Sequence, residues 1–323
     1  IVSTLKIGIV GRIDQDKAVL FAAKLVDYLL TNGREVIIEK SVSRKIIELV
    51  ESPRLSEVIE NTKKAYPEIA DEFSNINFKI NYDTLSRNIY DFECDMAIIL
   101  GGDGTLLRAQ AKMKPTIPIF GINMGTVGFL TDTEVKDTFT ALDEILKGEY
   151  YREKRTRLVV SHENNHYSAI NEVVIMTNQT AKMLQFEIKV DGEIIDEVRA
   201  DGLIISTPSG STAYAMSAGG PILDPKVGGF IIIPICPYKL GARPFIVSDN
   251  SEITVKLLKK GKKEEEAFKI LAKGTREHGR ILLPWEETLK NASDIVKSQA
   301  PDMEIHETYK KLIALRKEDE TLI

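Results

Sequence analysis

"AIILGGDGTLLRAQ", residues Ala97–Gln110, decides the fold class. An apolar run stops at two glycines; an aspartate, a third glycine and a threonine then lead into residues of helical character. A strand that turns through glycines into a helix belongs to a parallel α/β sheet, and such turns lie at the sheet's carboxyl edge. There, backbone N–H groups and a helix N-terminus favour anions. Gly101, Gly102 and Gly104 permit close backbone approach. Thr105 can cap the helix or offer a hydroxyl, and Arg108, one turn further, can offset anionic charge. Asp103 needs its own explanation, because a carboxylate repels a phosphate beside it.

The flanking sequence extends the same pattern. Leu5–Gly11 reads as a buried strand and a glycine turn. Lys17–Asn32 reads as an amphipathic helix closed by Gly33, and Glu35–Glu39 as the next strand. The polar stretch 42–91 is predicted to be an insertion or helical flank, with helices over Arg44–Glu51 and Leu55–Tyr66 separated by Pro53. Ile117–Asn123 is a further strand and Val135–Leu146 a further helix. After Tyr151 the pattern turns to strands, and Asp191-Gly192 between two alternating runs is a hairpin signal. The prediction is a Rossmann-like parallel α/β half followed by a β-rich, β-sandwich-like half. Its domains are 1–148, 149–260 and a charged helical tail over 261–323, with surface helices at Glu286–Gln299 and Met303–Arg316.

The whole chain narrows the function classes. With 323 residues, 43% hydrophobic and 28% charged, it can bury a sizeable globular core. A net charge of -5 argues against a nucleic-acid partner held by a basic face. Two distant cysteines, Cys94 and Cys236, exclude a disulfide framework, fit a reducing cytoplasm and read as core residues. Four histidines fall in no ligand spacing, so no protein metal site is predicted. No apolar run has transmembrane length, so no membrane partner is predicted, and the opening "IVSTLKIGIVG" reads as strand and turn rather than a leader.

Phosphoryl transfer gives Asp103 a reason. That chemistry needs held phosphates, neutralised charge and a group that takes the acceptor's hydroxyl proton. The plainer reading is a tight turn in which Asp103 only bonds the backbone. Neither G-x-x-x-x-G-K-[ST] nor G-x-G-x-x-G occurs, which weighs against a P-loop ATPase and an ordinary dinucleotide dehydrogenase. "TPSGSTAY", Thr207–Tyr214, is a second strand-to-helix turn. Ser209 and Thr212 offer hydroxyls and Tyr214 can stack on a base; the plainer reading is a Ser/Thr-rich cap with Tyr214 in the core. Asn171-Glu172 interrupts an apolar strand. An amide can read an adenine edge and a carboxylate can bind ribose hydroxyls, whereas a plain strand-end pair would face water. The charge run Lys256–Lys263 reads as a solvated strand end.

"GGDGT" resembles the signature shared by NAD kinases, diacylglycerol and sphingosine kinases and, more distantly, phosphofructokinases. "GINMGTVGFLTD" (Gly121–Asp132), "NEVV" (Asn171–Val174), "ADGLIISTPSGSTAYAMSAGGP" (Ala200–Pro221) and "PICPYKLGARPFIV" (Pro234–Val247) resemble the NAD kinases in particular. The resemblance implies transfer of the γ-phosphoryl group of ATP, with Mg²⁺ or another divalent metal, to the 2′-hydroxyl of NAD. It assigns Asp103 as the catalytic group, and Gly101, Gly102, Gly104, Thr105 and Arg108 to the phosphates. Asn171, Glu172, Ser209, Thr212, Ala213 and Tyr214 would hold the adenosine end of NAD, and Arg199 and Asp201 would lie toward the nicotinamide, with Asp201 reaching it from a neighbouring subunit. By themselves Arg199 and Asp201 read as a strand-end ion-pair network. Gly125–Phe129 would wall the site, although Phe129 alone reads as core. A homodimer or homotetramer is implied. The resemblance fades after about Lys259, where the family's Asp-Gly strand is not found, and Asp224 stands where a histidine is expected. The alternatives are a lipid kinase sharing "GGDGT" and a non-catalytic NAD(P) sensor.

Overall fold

The structure is a computed structural model, and it describes residues 5–114, 116–125, 128–131, 133–162, 165–177, 182–258, 269–271 and 311–322. The chain divides into two compact units, Ile1–Lys154 with Glu320–Ile323, and Arg155–Asp319.

The first unit runs β1 (Lys6–Gly11), α1 (Asp16–Thr31), β2 (Glu35–Glu39), α2 (Lys40–Val50), α3 (Leu55–Ala65), α4 (Tyr82–Leu85), β3 (Ser86–Arg87), β4 (Met96–Leu100), α5 (Asp103–Gln110), β5 (Ile119–Asn123), β6 (Thr133–Glu134) and α6 (Thr138–Lys147). The sheet order is β3-β2-β1-β4-β5-β6, and every pair is parallel. This order reverses between β1 and β4, and in such sheets ligands bind at that reversal, outside the carboxyl ends of the strands. Alternation along the strands builds both faces. Ile7, Ile9, Ile98 and Leu100 join the core under α1, while Val10, Ala97 and Ile99 join Leu106 and Ala109 of α5. Met96–Leu100 is buried throughout, as a parallel strand covered by helices on both faces must be.

The stretch predicted as an insertion or flank is part of the main core. Val42, Ile46, Leu49, Val58, Phe73 and Tyr82 belong to the same cluster as α1, and the rings of Phe21 and Phe73 lie 5.8 Å apart. Gly33 ends α1 with φ 71°, as its sequence position predicts.

The second unit carries β7 (Arg152–His162), which begins just before it, then β8 (Asn165–Ala169), β9 (Glu172–Met176), β10 (Leu184–Val190), β11 (Glu193–Ala200), β12 (Gly202–Ser206), the short helix α7 (Tyr214–Ser217), β13 (Gly229–Ile235), β14 (Phe245–Ser248), β15 (Ile253–Leu258), β16 (Lys269–Leu271) and β17 (Lys311–Leu322). They form two sheets, β11-β10-β15-β17-β7-β8 and β14-β13-β12-β9-β16. Asp191 (φ 51°) and Gly192 (φ 89°) make the predicted hairpin turn, with both central residues left-handed.

Three expectations need correction. Residues 311–316, predicted as the end of a helix, lie in β17, which pairs antiparallel with β15. Pairing with a long-range partner overrides their local helix propensity. Strand β16 likewise extends the other sheet beyond residue 260 by pairing with β9. The helix predicted at Glu286–Gln299 lies outside the described residues. Cys236 is exposed at the end of β13 with φ 46°, not buried in a core; Cys94 is partly buried.

Candidate active site

The register aligns the ends of β1 and β4, with Gly11 opposite Leu100. The Arg12 N–H donates to the Leu100 carbonyl at 3.0 Å, so the loop after β1 starts beside the glycine turn. Gly101 is required there: a Cβ on it would sit 2.7 Å from the Thr105 Cβ. Around Gly102 an added Cβ would meet nothing within 4 Å among the described residues, which leaves this approach open. Gly102 occupies the N-cap of α5 with no side-chain cap bond. Thr105 is therefore not the cap; its side chain packs against Gly101.

Asp103 is engaged by a distant loop rather than by its own turn. Its Oδ2 accepts from the Phe129 N–H at 2.8 Å. Its Oδ1 accepts from the Leu130 N–H at 3.0 Å, the Thr131 N–H at 3.0 Å and the Thr131 hydroxyl at 3.1 Å. Gly128 allows this approach, since a Cβ there would lie 2.6 Å from the Asp103 Cγ. An ionised carboxylate offers about two acceptor positions on each oxygen; Oδ1 takes three donors and Oδ2 takes one, which leaves a position on Oδ2. The loop is braced from β5, where Asn123 Nδ2 donates to the Thr131 carbonyl at 3.1 Å and Asn123 Oδ1 accepts from the Gly125 N–H at 2.8 Å. With its backbone tied down in this way, Phe129 is turned outward and 69% exposed, against the expectation of a core residue.

Arg108 points to the same edge but is held by protein groups. Its guanidinium pairs with both oxygens of Glu39, at 2.8 and 3.2 Å, and with the Gly11 carbonyl at 3.3 Å. Glu39 is buried at the end of β2. Sequence reasoning missed this partner, which lies 69 residues away and has no local signal.

In the second unit, β12 pairs with β9 so that Ser206 faces Glu172. The Thr207 N–H donates to the Asn171 carbonyl at 2.8 Å. Gly210 packs against the same peptide group, and a Cβ there would lie 2.6 Å from Ser206 Oγ. The Asn171-Glu172 pair and the Ser209–Tyr214 turn are thus brought together. Ser209–Thr212 forms a 3₁₀ turn, Ala213 stands at the N-cap of α7, and Tyr214 packs partly buried against the cluster that includes Val174, Ile204 and Ile231. Asn171 and Glu172 are 7% and 5% exposed, so they do not face water. Asn171 Oδ1 is buried with no hydrogen-bond partner among the described residues.

Arg199 and Asp201 stand at the other end of β12. From Asp201 to Thr207 the strand spans about 20 Å. Arg199 stacks over Tyr238, 5.4 Å from its ring centre, and the Asp201 N–H donates to the Ile235 carbonyl at 2.9 Å. One chain does not bring these two residues to the Asn171 cluster. Asp224 is exposed and accepts from the Lys226 N–H at 2.8 Å, closing a local turn.

Two family models match this chain: the ATP-NAD kinase N-terminal domain over residues 7–150 and the ATP-NAD kinase C-terminal domain over residues 170–274. The second match runs beyond Lys259, where the motif resemblance fades. A NAD kinase of Methanothermobacter thermautotrophicus is 46% identical over 260 residues, 80% of this chain and 80% of that protein. Among solved structures, yeast NADH kinase complexed with NADH aligns with a TM-score of 0.66 at 18% identity, covering 99% of this chain and 83% of that one. An NAD kinase from Archaeoglobus fulgidus in complex with ATP aligns with a TM-score of 0.59 at 23% identity, covering 99% and 93%. Those two likenesses bear on the fold.

Proposed function

The chain belongs to the ATP-NAD kinase family, and we propose that the glycine turn around Asp103 is its phosphoryl-transfer centre. The activity is that of an NAD kinase: the γ-phosphoryl group of ATP passes to the 2′-hydroxyl of the adenosine ribose of NAD, giving NADP. The lipid-kinase and sensor alternatives have no comparable support. The observation that carries the assignment of the centre is the position of "GGDGT" at the strand-order reversal, with Gly102 open to approach.

In this reading Gly101, Gly102, Gly104 and Thr105 hold donor phosphates at the start of α5. Asp103 accepts or orients the proton of the ribose 2′-hydroxyl. Three of its present donors converge on Oδ1 and only the Phe129 N–H reaches Oδ2, so Oδ2 keeps an acceptor position for the hydroxyl. Arg108 acts through its bond with Glu39, fixing α5 against β2, rather than on phosphate. Asn171, Glu172, Ser209, Thr212, Ala213 and Tyr214 hold adenosine, and the unpaired Asn171 Oδ1 is suited to accept from the adenine amino group. Among the described residues no three His, Cys, Asp or Glu side chains gather. The site suits Mg²⁺ held by donor phosphates and water, where the ion neutralises phosphoryl charge.

A homo-oligomer and a cytoplasmic location belong to the same proposal. The edge strands β11 and β14 expose Ile194, Ile195 and Ile246, and Tyr238 and Leu240 are exposed near Arg199. A neighbouring copy covering this surface would place Asp201 near that copy's nicotinamide. No described helix is long and apolar enough to cross a membrane. NADP formation from NAD, ATP and Mg²⁺ tests the function; no NADP from folded wild type overturns it.

A further inference from the structure

We propose that Arg12, the first residue after β1, is the cation that binds the phosphates of the donor. This deepens the kinase reading and rests on it. Phosphoryl transfer needs positive charge beside the transferring group, and two described arginines lie at the carboxyl edge by the order reversal, Arg12 and Arg108. Their partners decide between them. Releasing Arg108 would strand Glu39, whose side chain is 9% exposed, and would uncap the Gly11 carbonyl. A buried carboxylate without its partner is costly, so Arg108 stays where it is. Arg12 is held by Asp14 through Nε at 2.8 Å and Nη2 at 2.6 Å. The Asp14 side chain is 63% exposed and returns to water when released, at little cost.

The geometry of that exchange is favourable. A guanidinium fork that grips a carboxylate through two N–H groups grips a phosphate in the same way. Asp14 thus keeps the Arg12 fork formed until a phosphate replaces it. Hydrogen bonding to Asp14 also keeps the Arg12 guanidinium above its ordinary pKa, so its charge is constant. The backbone of Arg12 is fixed on the Leu100 carbonyl, directly before the glycine turn. Other charges nearby are committed or lie outside the turn: Asp16 pairs with Arg54 at 3.5 Å, and Lys17 sits over the Tyr66 ring.

The test uses the full chain as wild type, Arg12→Ala and Arg12→Lys. The KM for ATP is expected to rise at least tenfold in Arg12→Ala, with the KM for NAD within twofold of wild type. Arg12→Lys should recover part of the loss, since it restores charge without the fork. As a readout independent of turnover, the rise in melting temperature given by ATP alone should shrink in Arg12→Ala while that given by NAD persists. An unchanged ATP KM and ATP shift overturn the proposal, as does an equal rise in both KM values. If Arg12→Ala fails to fold, Arg12→Lys carries the same comparison, and equal ATP affinity in it and wild type overturns a bidentate role. Absence of NADP from wild type would sink the kinase reading instead, and the ATP shift would still judge Arg12.

Discussion

Asp103 accepts from four donors on residues 129–131, and that fact shapes how its substitution must be read. Asn offers one oxygen, so Asp103→Asn also turns an amide NH₂ toward a backbone N–H. Loss of proton acceptance is expected to cut kcat by roughly 10²- to 10⁴-fold with NAD affinity retained. Thr131→Val separates the roles, because it removes one loop donor and keeps the carboxylate and nearly the same volume. Less than tenfold loss in Thr131→Val would leave Asp103 as the reacting group. Equal losses in the two variants would make Asp103 a positioning residue. Asn171 invites a different comparison, since its buried Oδ1 gains nothing in the free protein. Asn171→Ala should leave the melting temperature of the free protein within a few degrees and raise the NAD KM about tenfold; a large fall in stability would make Asn171 structural. The cysteines give a chemical check on burial. Burial pushes the Cys94 thiol up to about 11, so little thiolate exists at pH 8. Iodoacetamide at that pH should label exposed Cys236 and spare Cys94, as peptide mass spectrometry would show.

At the scale of elements, α5 is held at both ends by long-range polar contacts, Asp103 at its start and Arg108 near its end. Glu39→Gln removes the charge that holds Arg108 against β2. Urea unfolding should show a loss of about 2–4 kcal/mol, below that of a fully buried pair because a quarter of the Arg108 side chain meets water. A stability loss below about 0.5 kcal/mol would mean that the pair contributes no more than a surface bridge. Local chemistry made some elements legible. The Asp191-Gly192 turn was readable because it needs two left-handed residues, and α1 because its apolar face repeats with helical period. The glycine turn was readable because strand, glycines and helix are contiguous. Glu39 as the partner of Arg108, and the loop that ties Asp103 and turns Phe129 outward, depend on contacts across 69 and 26 residues, which spacing does not encode. β14 has only four residues, none of them buried, and so too short a pattern to stand out.

For the whole molecule, β17 is the element whose sequence and structure differ most. "KLIALRKEDETL" has strong helix formers, yet it lies as a strand between β15 and β7 in the middle of a six-stranded sheet. Its partner is far away in sequence, so its state is set by the sheet and not by local preference. A chain ending at residue 310 would leave both β15 and β7 as new open edges, and unpaired edges invite association with other chains. Among the described residues the first unit's sheet takes no strand from the tail, since its order runs only through β1 to β6. The shortened chain is therefore expected to fail selectively. Hydrogen exchange should lose protection over β7, β10 and β15 while β1, β4 and β5 stay protected, and the soluble fraction should drop. If the shortened chain instead keeps full protection in β15 and the melting temperature of the whole chain, β17 does not complete that sheet in solution. The helical reading of residues 311–316 would then regain its ground.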